Sequence, residues 1–276
     1  MQPRSPLLLI ALLLTAVPAM AQGFTATPWQ DAGGARVRLI IPDAPKGATT
    51  GAIEVVLPAG AKTYWRTPGD TGVPTMADFS GSTGAVDVAL QFPAPVAFDD
   101  GVGGVAYGYL ERVTFPVTFR AETAAPLLAV DLAFGICTKS LCLPAQAKLT
   151  LAAATGQADS ALTNVVRVAR DAVPRALPLA GQGPLAITET TWNDTAKPPK
   201  LTVRTRVPAG LEPSLFAEGD TAVSSRLIAR TGDTAEFALS FDRPDRPRGG
   251  SILLTLVAGR EAVETKLDLD GVKKAP

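Results

Sequence analysis

The sequence predicts an all-β protein of two antiparallel sandwiches joined by one α-helix. Three observations lead there. Apolar residues recur with period two along most of the 276 residues, the runs are cut by turn formers drawn from 25 glycines and 24 prolines, and a single stretch follows helical spacing instead. Hydrophobic residues at 46% and charged residues at 19% supply enough apolar surface for a folded core. The length suits two domains.

The chain opens with Arg4, an apolar run from Leu7 to Val17, and Ala19-Met20-Ala21 before Gln22. That is the layout of a secretory signal peptide over residues 1–21, cleaved after Ala21. The run is shorter than the ~20 residues that span a bilayer, and no later segment is long and apolar enough, so no membrane span is expected in the mature chain. Export to the periplasm also places cysteines where a disulfide persists.

The strands follow in order. Val37, Leu39 and Ile41 alternate, as do Val86, Val88, Leu90 and Phe92, then Val113, Phe115, Val117 and Phe119, then Leu128, Val130, Leu132 and Phe134. Such recurrence without intervening helical pattern predicts an immunoglobulin-like sandwich over residues 22–156. Pro116 within one run marks an edge strand or a bulge. Leu162, Val165, Val166, Ala169 and Val173 then follow three-to-four spacing, with Asp159 or Ser160 to cap the start and Pro174 to end it. Residues 157–176 therefore read as a linker helix and stiff connector. Strand patterns resume at Leu201 and Val203, at Phe237, Leu239 and Phe241, and at Ile252, Leu254 and Leu256, giving a second immunoglobulin-like sandwich over 177–272 and a frayed tail over 273–276.

Composition excludes whole classes of chemistry. There is no histidine, hence no Ser-His-Asp or Cys-His catalysis and no His-ligated metal. With 26 basic against 26 acidic residues there is no broad cationic field for nucleic acid. No cofactor or metal is expected. Asp99-Asp100-Gly101 is too short a set of oxygens for calcium, Asp70 reads as a turn former, and Trp65-Arg66 reads as a core tryptophan at a strand end.

That leaves sulfur. Cys137 and Cys142 are separated by four residues between two strand runs, a spacing that suits a hairpin and brings the Cα atoms to the ~5.5 Å a disulfide needs. A bridge closing so short a loop stabilises by only ~2 kcal/mol in the chain-entropy model, which makes it a candidate for redox use. Two other readings stand beside it: a passive hairpin staple in a binding or assembly protein without catalysis, and a two-thiolate metal site completed by other groups. Lys139 is the one cation close by in sequence.

Several stretches together resemble a known family. They are Tyr64-Trp65-Arg66-Thr67-Pro68-Gly69-Asp70-Thr71-Gly72-Val73-Pro74, the turn Phe92-Pro93-Ala94-Pro95, Tyr107-Gly108-Tyr109 leading into Val113-Thr114-Phe115-Pro116-Val117, and Gly135-Ile136-Cys137 through Cys142-Leu143-Pro144. In this order they resemble the N-terminal periplasmic domain of the thiol:disulfide interchange protein DsbD, in its ScsB-like (copper-sensitivity-suppressor) branch. The resemblance implies thiol-disulfide oxidoreductase activity. Cys142 would form mixed disulfides with partners and Cys137 would resolve them. Electrons would come from a membrane-embedded thiol reductant of the DsbD/CcdA type and pass to exported thioredoxin-fold proteins. It also implies an aromatic cap over the pair, for which Tyr107 or Tyr109 is the candidate. The membrane helices and terminal C-x-x-C domain of full-length members have no counterpart in this sequence.

Overall fold

A computed structural model describes residues 23–43, 45–101, 103–138, 141–153, 159–247 and 249–274. The signal-peptide reading falls outside them. The first half holds β1 (Phe24–Ala26), β2 (Gln30–Ala32), β3 (Ala35–Pro42), β4 (Gly47–Val56), β5 (Lys62–Gly69), β6 (Met76–Asp78), β7 (Ala85–Leu90), β8 (Val96–Asp99), β9 (Val105–Leu110), β10 (Arg112–Ala121), β11 (Leu127–Cys137) and β12 (Cys142–Ala152). Then come α1 (Ser160–Asp171), β13 (Arg175–Ala176), β14 (Ala186–Asn193), β15 (Lys200–Arg206), β16 (Pro213–Glu218), β17 (Val223–Thr231), β18 (Thr234–Phe241), β19 (Ser251–Ala258), β20 (Glu261–Asp268) and β21 (Lys273–Lys274).

The fold is all-β, with two immunoglobulin-like sandwiches. In the first, a sheet ordered β1-β3-β4-β10-β7 faces one ordered β12-β11-β5-β9-β8, with β2 beside β3 and β6 beside β11. In the second, β13-β20-β19-β16 faces β17-β18-β15-β14-β21. Period two explains the layering. Leu128, Val130, Leu132, Phe134 and Ile136 of β11 point inward to meet Val37, Leu39 and Ile41 of β3, while Ala129, Asp131 and Ala133 point outward. Trp192, Leu201, Val203, Phe237 and Leu254 form the corresponding core of the second sandwich.

Three local readings change. Pro116 is not on an edge strand: β10 pairs with both β4 and β7. Its carbonyl accepts from Gln91 N at 2.7 Å, so its nitrogen also faces the β7 side, just past the end of that strand at Leu90. There the missing N–H breaks no ladder within β7. The connector after the helix is not bare, because Arg175 and Ala176 pair in parallel with Val263 and Glu264 of β20. The start of the tail is also ordered, Lys273 and Lys274 pairing with Thr191 and Trp192 of β14, while residues 275–276 lie outside the described residues.

The helix forms where its spacing predicts. Asp159 caps it, its carboxylate accepting from Ala161 N at 2.8 Å. Its apolar stripe, Leu162 and Val166, does not bridge open space between domains but packs on Phe24, Ile40 and Ala52, covering the outer face of the first sheet.

Candidate functional site: a hairpin disulfide on an outer sheet face

Cys137 ends β11 and Cys142 begins β12, directly opposite each other in the antiparallel register, and they are joined by a disulfide with Cα atoms 4.0 Å apart. The hairpin is closed by Thr138, whose N–H donates to Leu141 O at 2.8 Å. Lys139 lies outside the described residues. The two sulfurs are unequal: Cys137 is 1% exposed, whereas Cys142, on an edge strand, is exposed to solvent.

Strand parity fixes what surrounds them. Ile136 and Phe134 face the core, so Cys137 and Gly135 face outward. Register then carries one row across four strands: Cys142 opposite Cys137, Cys137 opposite Lys62, and Lys62 opposite Leu110. Two residues beyond Lys62, Tyr64 occupies the same outer face, and beside it Phe98 of β8 lies opposite Ala106 of β9. Tyr64, Ala106 and Cys137 form one buried cluster with Phe98 packed against it. The Tyr64 and Phe98 rings are tilted, with centroids 6.2 Å apart.

Tyr64 touches the disulfide. Its phenol oxygen is 4.0 Å from Cys142 Sγ, where the O–H can donate to sulfur. Its ring lies over Gly135, where an added Cβ would sit 3.3 Å from Tyr64 and 3.6 Å from Cys137 Sγ. From the other side comes the β5–β6 loop: a Cβ at Gly72, with φ +114°, would fall 2.4 Å from the same ring. Only glycine permits that close approach. The loop is tied to the β8–β9 turn by Asp70, which accepts from Val105 N at 2.9 Å, and by Thr71, which donates to Asp100 at 3.1 Å. Burial, together with the charge on Asp100, raises the Tyr64 pKa above its ordinary value. The phenol therefore keeps its proton and stays a donor.

Lys62 is the nearest described cation in register. Its ammonium lies 4.4 Å over the Phe98 ring and donates to Asp99 O at 3.0 Å, which ties β5 to β8 beside the disulfide.

The expected cap residues sit elsewhere. Tyr109 and Tyr107 share the opposite parity to Gly108 and Ala106, so both turn away from the disulfide. Tyr109 is 7% exposed, packs edge-on against Phe115 and donates to Pro93 O at 2.8 Å. Tyr107 stacks edge-on against Phe216 of the second sandwich, centroids 4.9 Å apart. The aromatics at the pair are Tyr64 and Phe98. Sequence spacing gave neither a role, although alternation counted from Tyr109 inward assigns Gly108 and its partner strand to the outer face. Asp99 and Asp100 serve the β8–β9 turn, accepting from Gly101 N at 2.6 Å and Gly104 N at 2.9 Å.

Comparisons with known proteins bear on the fold that carries this hairpin. Residues 36–154 match the family described as thiol:disulfide interchange protein DsbD, N-terminal. No curated protein sequence matches the chain. Among solved structures, the N-terminal periplasmic domain of ScsB from Proteus mirabilis superposes with a TM-score of 0.70 at 20% identity, over 91% of this chain and 99% of that one. The chain is thus similar to the DsbD N-terminal family over residues 36–154, and its two-sandwich fold is that of the ScsB N-terminal periplasmic domain.

Proposed function

We propose that this protein is a periplasmic thiol-disulfide interchange module that relays electrons through Cys137 and Cys142 from a membrane-embedded dithiol reductant to exported thioredoxin-fold proteins. The observation that carries the reading is the inequality of the two sulfurs, one solvent-facing on an edge strand and one buried behind it. Only Cys142 is open to an incoming thiolate.

Reduction begins when a reductant thiolate attacks Cys142 Sγ. The Cys137–Cys142 bond breaks and Cys137 leaves as a thiolate that takes up a proton. The reductant's second thiolate then attacks its own sulfur of the mixed disulfide and releases Cys142 as a thiolate, so two electrons have entered the pair. Tyr64 donates to that sulfur as charge develops on it, a bond stronger to a thiolate than to a neutral disulfide. Delivery reverses the order: Cys142 attacks a partner disulfide, and Cys137 then attacks Cys142 Sγ, expelling the partner's reduced thiolate. Exposed Leu141 next to Cys142, and Val96 and Leu110 on the same sheet face, give a partner apolar surface to rest on.

Single-cysteine variants test this. Cys137→Ser, which leaves Cys142 free, should accumulate a mixed disulfide with an exported thioredoxin-fold protein in cells, and Cys142→Ser should not. No trapped species with either variant would overturn the relay.

A further inference from the structure

We infer that the second sandwich acts as a brace on the redox site, with Arg66 as the positioning residue through which it holds Tyr64 over Cys142. The inference rests on the relay reading only in taking Cys142 as the sulfur that is attacked.

Strand β5 has two ends with different tasks. Lys62 and Tyr64 line the disulfide, and Arg66 and Thr67, about 7 Å further along the strand, reach with their side chains to the second sandwich. The Arg66 guanidinium binds Glu218 of β16 with two nitrogens, Nε at 2.9 Å and a terminal nitrogen at 2.7 Å, and binds Glu264 of β20 at 2.5 Å. Thr67 donates to Glu218 at 2.5 Å, and Thr255 of β19 donates to Glu264 at 3.2 Å. The face of the guanidinium lies 4.3 Å over Trp65. Burial lowers the Arg66 pKa, and the hydrogen bonds and charges of Glu218 and Glu264 more than reverse that, so the cation is firmly held.

The grip extends to the neighbouring strand. Phe216 of β16 is buried in the core of the first sandwich, edge-on to Trp65 of β5 and to Tyr107 of β9. Tyr107 stands between Ala106 and Gly108, two of the three β9 positions on the disulfide face. The second sandwich thus holds two of the strands that wall the site, β5 and β9. The β5–β6 loop starts four residues after Arg66, and its Gly72 lies against the Tyr64 ring. A shift of β16 and β20 is therefore passed to β5, to the loop and to the aromatic group on Cys142.

The test is the rate at which dithiothreitol reduces the disulfide in the full chain under native conditions. Arg66→Met and Glu218→Gln should each change that rate by about threefold or more, in the direction of faster attack as Tyr64 and its loop loosen. Arg38→Met is the comparator. It breaks another ion pair of similar burial, side chains 22% and 5% exposed against 26% and 15%, on the sheet that does not carry the cysteines. It should lower stability and leave the rate within about twofold of the parent. If Arg66→Met does not fold, Glu218→Gln, which keeps the side-chain shape, decides alone. Rates in the interface variants within about twofold of the parent, or an equal change in Arg38→Met, would overturn the brace. Failure of mixed-disulfide trapping would count against the relay and leave this rate measurement standing.

Discussion

Replacing Tyr64 by Phe removes one oxygen from the site and should lower the reduction potential of the Cys137–Cys142 pair. The phenol oxygen is 4.0 Å from Cys142 Sγ, at the long end for a sulfur acceptor, and no other hydrogen bond of that oxygen is seen among the described residues. Hydrogen bonds to charged groups contribute about 1.5–3 kcal/mol, and the long contact argues for less, about 1 kcal/mol. The neutral disulfide is a poor acceptor, so that stabilisation belongs to the reduced, thiolate form. At about 30 mV per 1.4 kcal/mol for a two-electron couple, its loss lowers the potential by about 20 mV. The effect is present at alkaline pH, where the thiolate is populated, and fades as pH falls and sulfur is protonated. Equilibration with dithiothreitol redox buffers, read by alkylation of free thiols at two pH values, measures both the shift and its pH dependence. No change at alkaline pH, or a rise in potential, would refute the role assigned to Tyr64.

Two further variants probe the frame of the site. Gly108→Ala should destabilise the protein by about 3 kcal/mol or more and loosen the pairing of β5 with β9, because the added Cβ would lie 2.0 Å from Thr63 O and 2.8 Å from Tyr64 Cα, backbone atoms that yield only if the strands part. Urea denaturation measures that loss, and a loss below about 0.5 kcal/mol would contradict it. Tyr109 carries a pH signature: burial holds its pKa well above the ordinary 10.0, so its contribution is complete below pH 10 and is lost as pH rises towards the folded-state value. Tyr109→Phe should cost about 1 kcal/mol at neutral pH by removing the bond to Pro93 O and should flatten the decline in stability above pH 10, as measured by thermal unfolding across that range.

What the sequence reveals here is what period and proximity encode. Cys137 and Cys142 meet because a hairpin is a local structure, and α1 forms where Asp159 and the Leu162–Val166 stripe place it. The surroundings of the sulfurs depend on pairing between distant segments. Lys62 reaches the site only because β5 joins β11 at Cys137, 75 positions away in the chain. Tyr107 and Tyr109 alternate with small residues, and alternation alone does not say which face meets the core. The answer depends on Phe115 and Phe216, the latter from the other sandwich. Arg66 is the extreme case. Its partners lie 152 and 198 positions away, and a pair so remote leaves no periodic trace.

The central claim is that the hairpin disulfide exists for exchange and not for strength. Its reduction potential tests that most directly. Structural bridges in exported proteins lie below about −300 mV, out of reach of physiological thiols, and an exchange-active pair lies above. A relay through Cys142 predicts a value above that boundary, with full reduction of the folded protein by a membrane-type dithiol donor. A value below it, in a pair that stays oxidised until the protein unfolds, would identify a staple and contradict the relay.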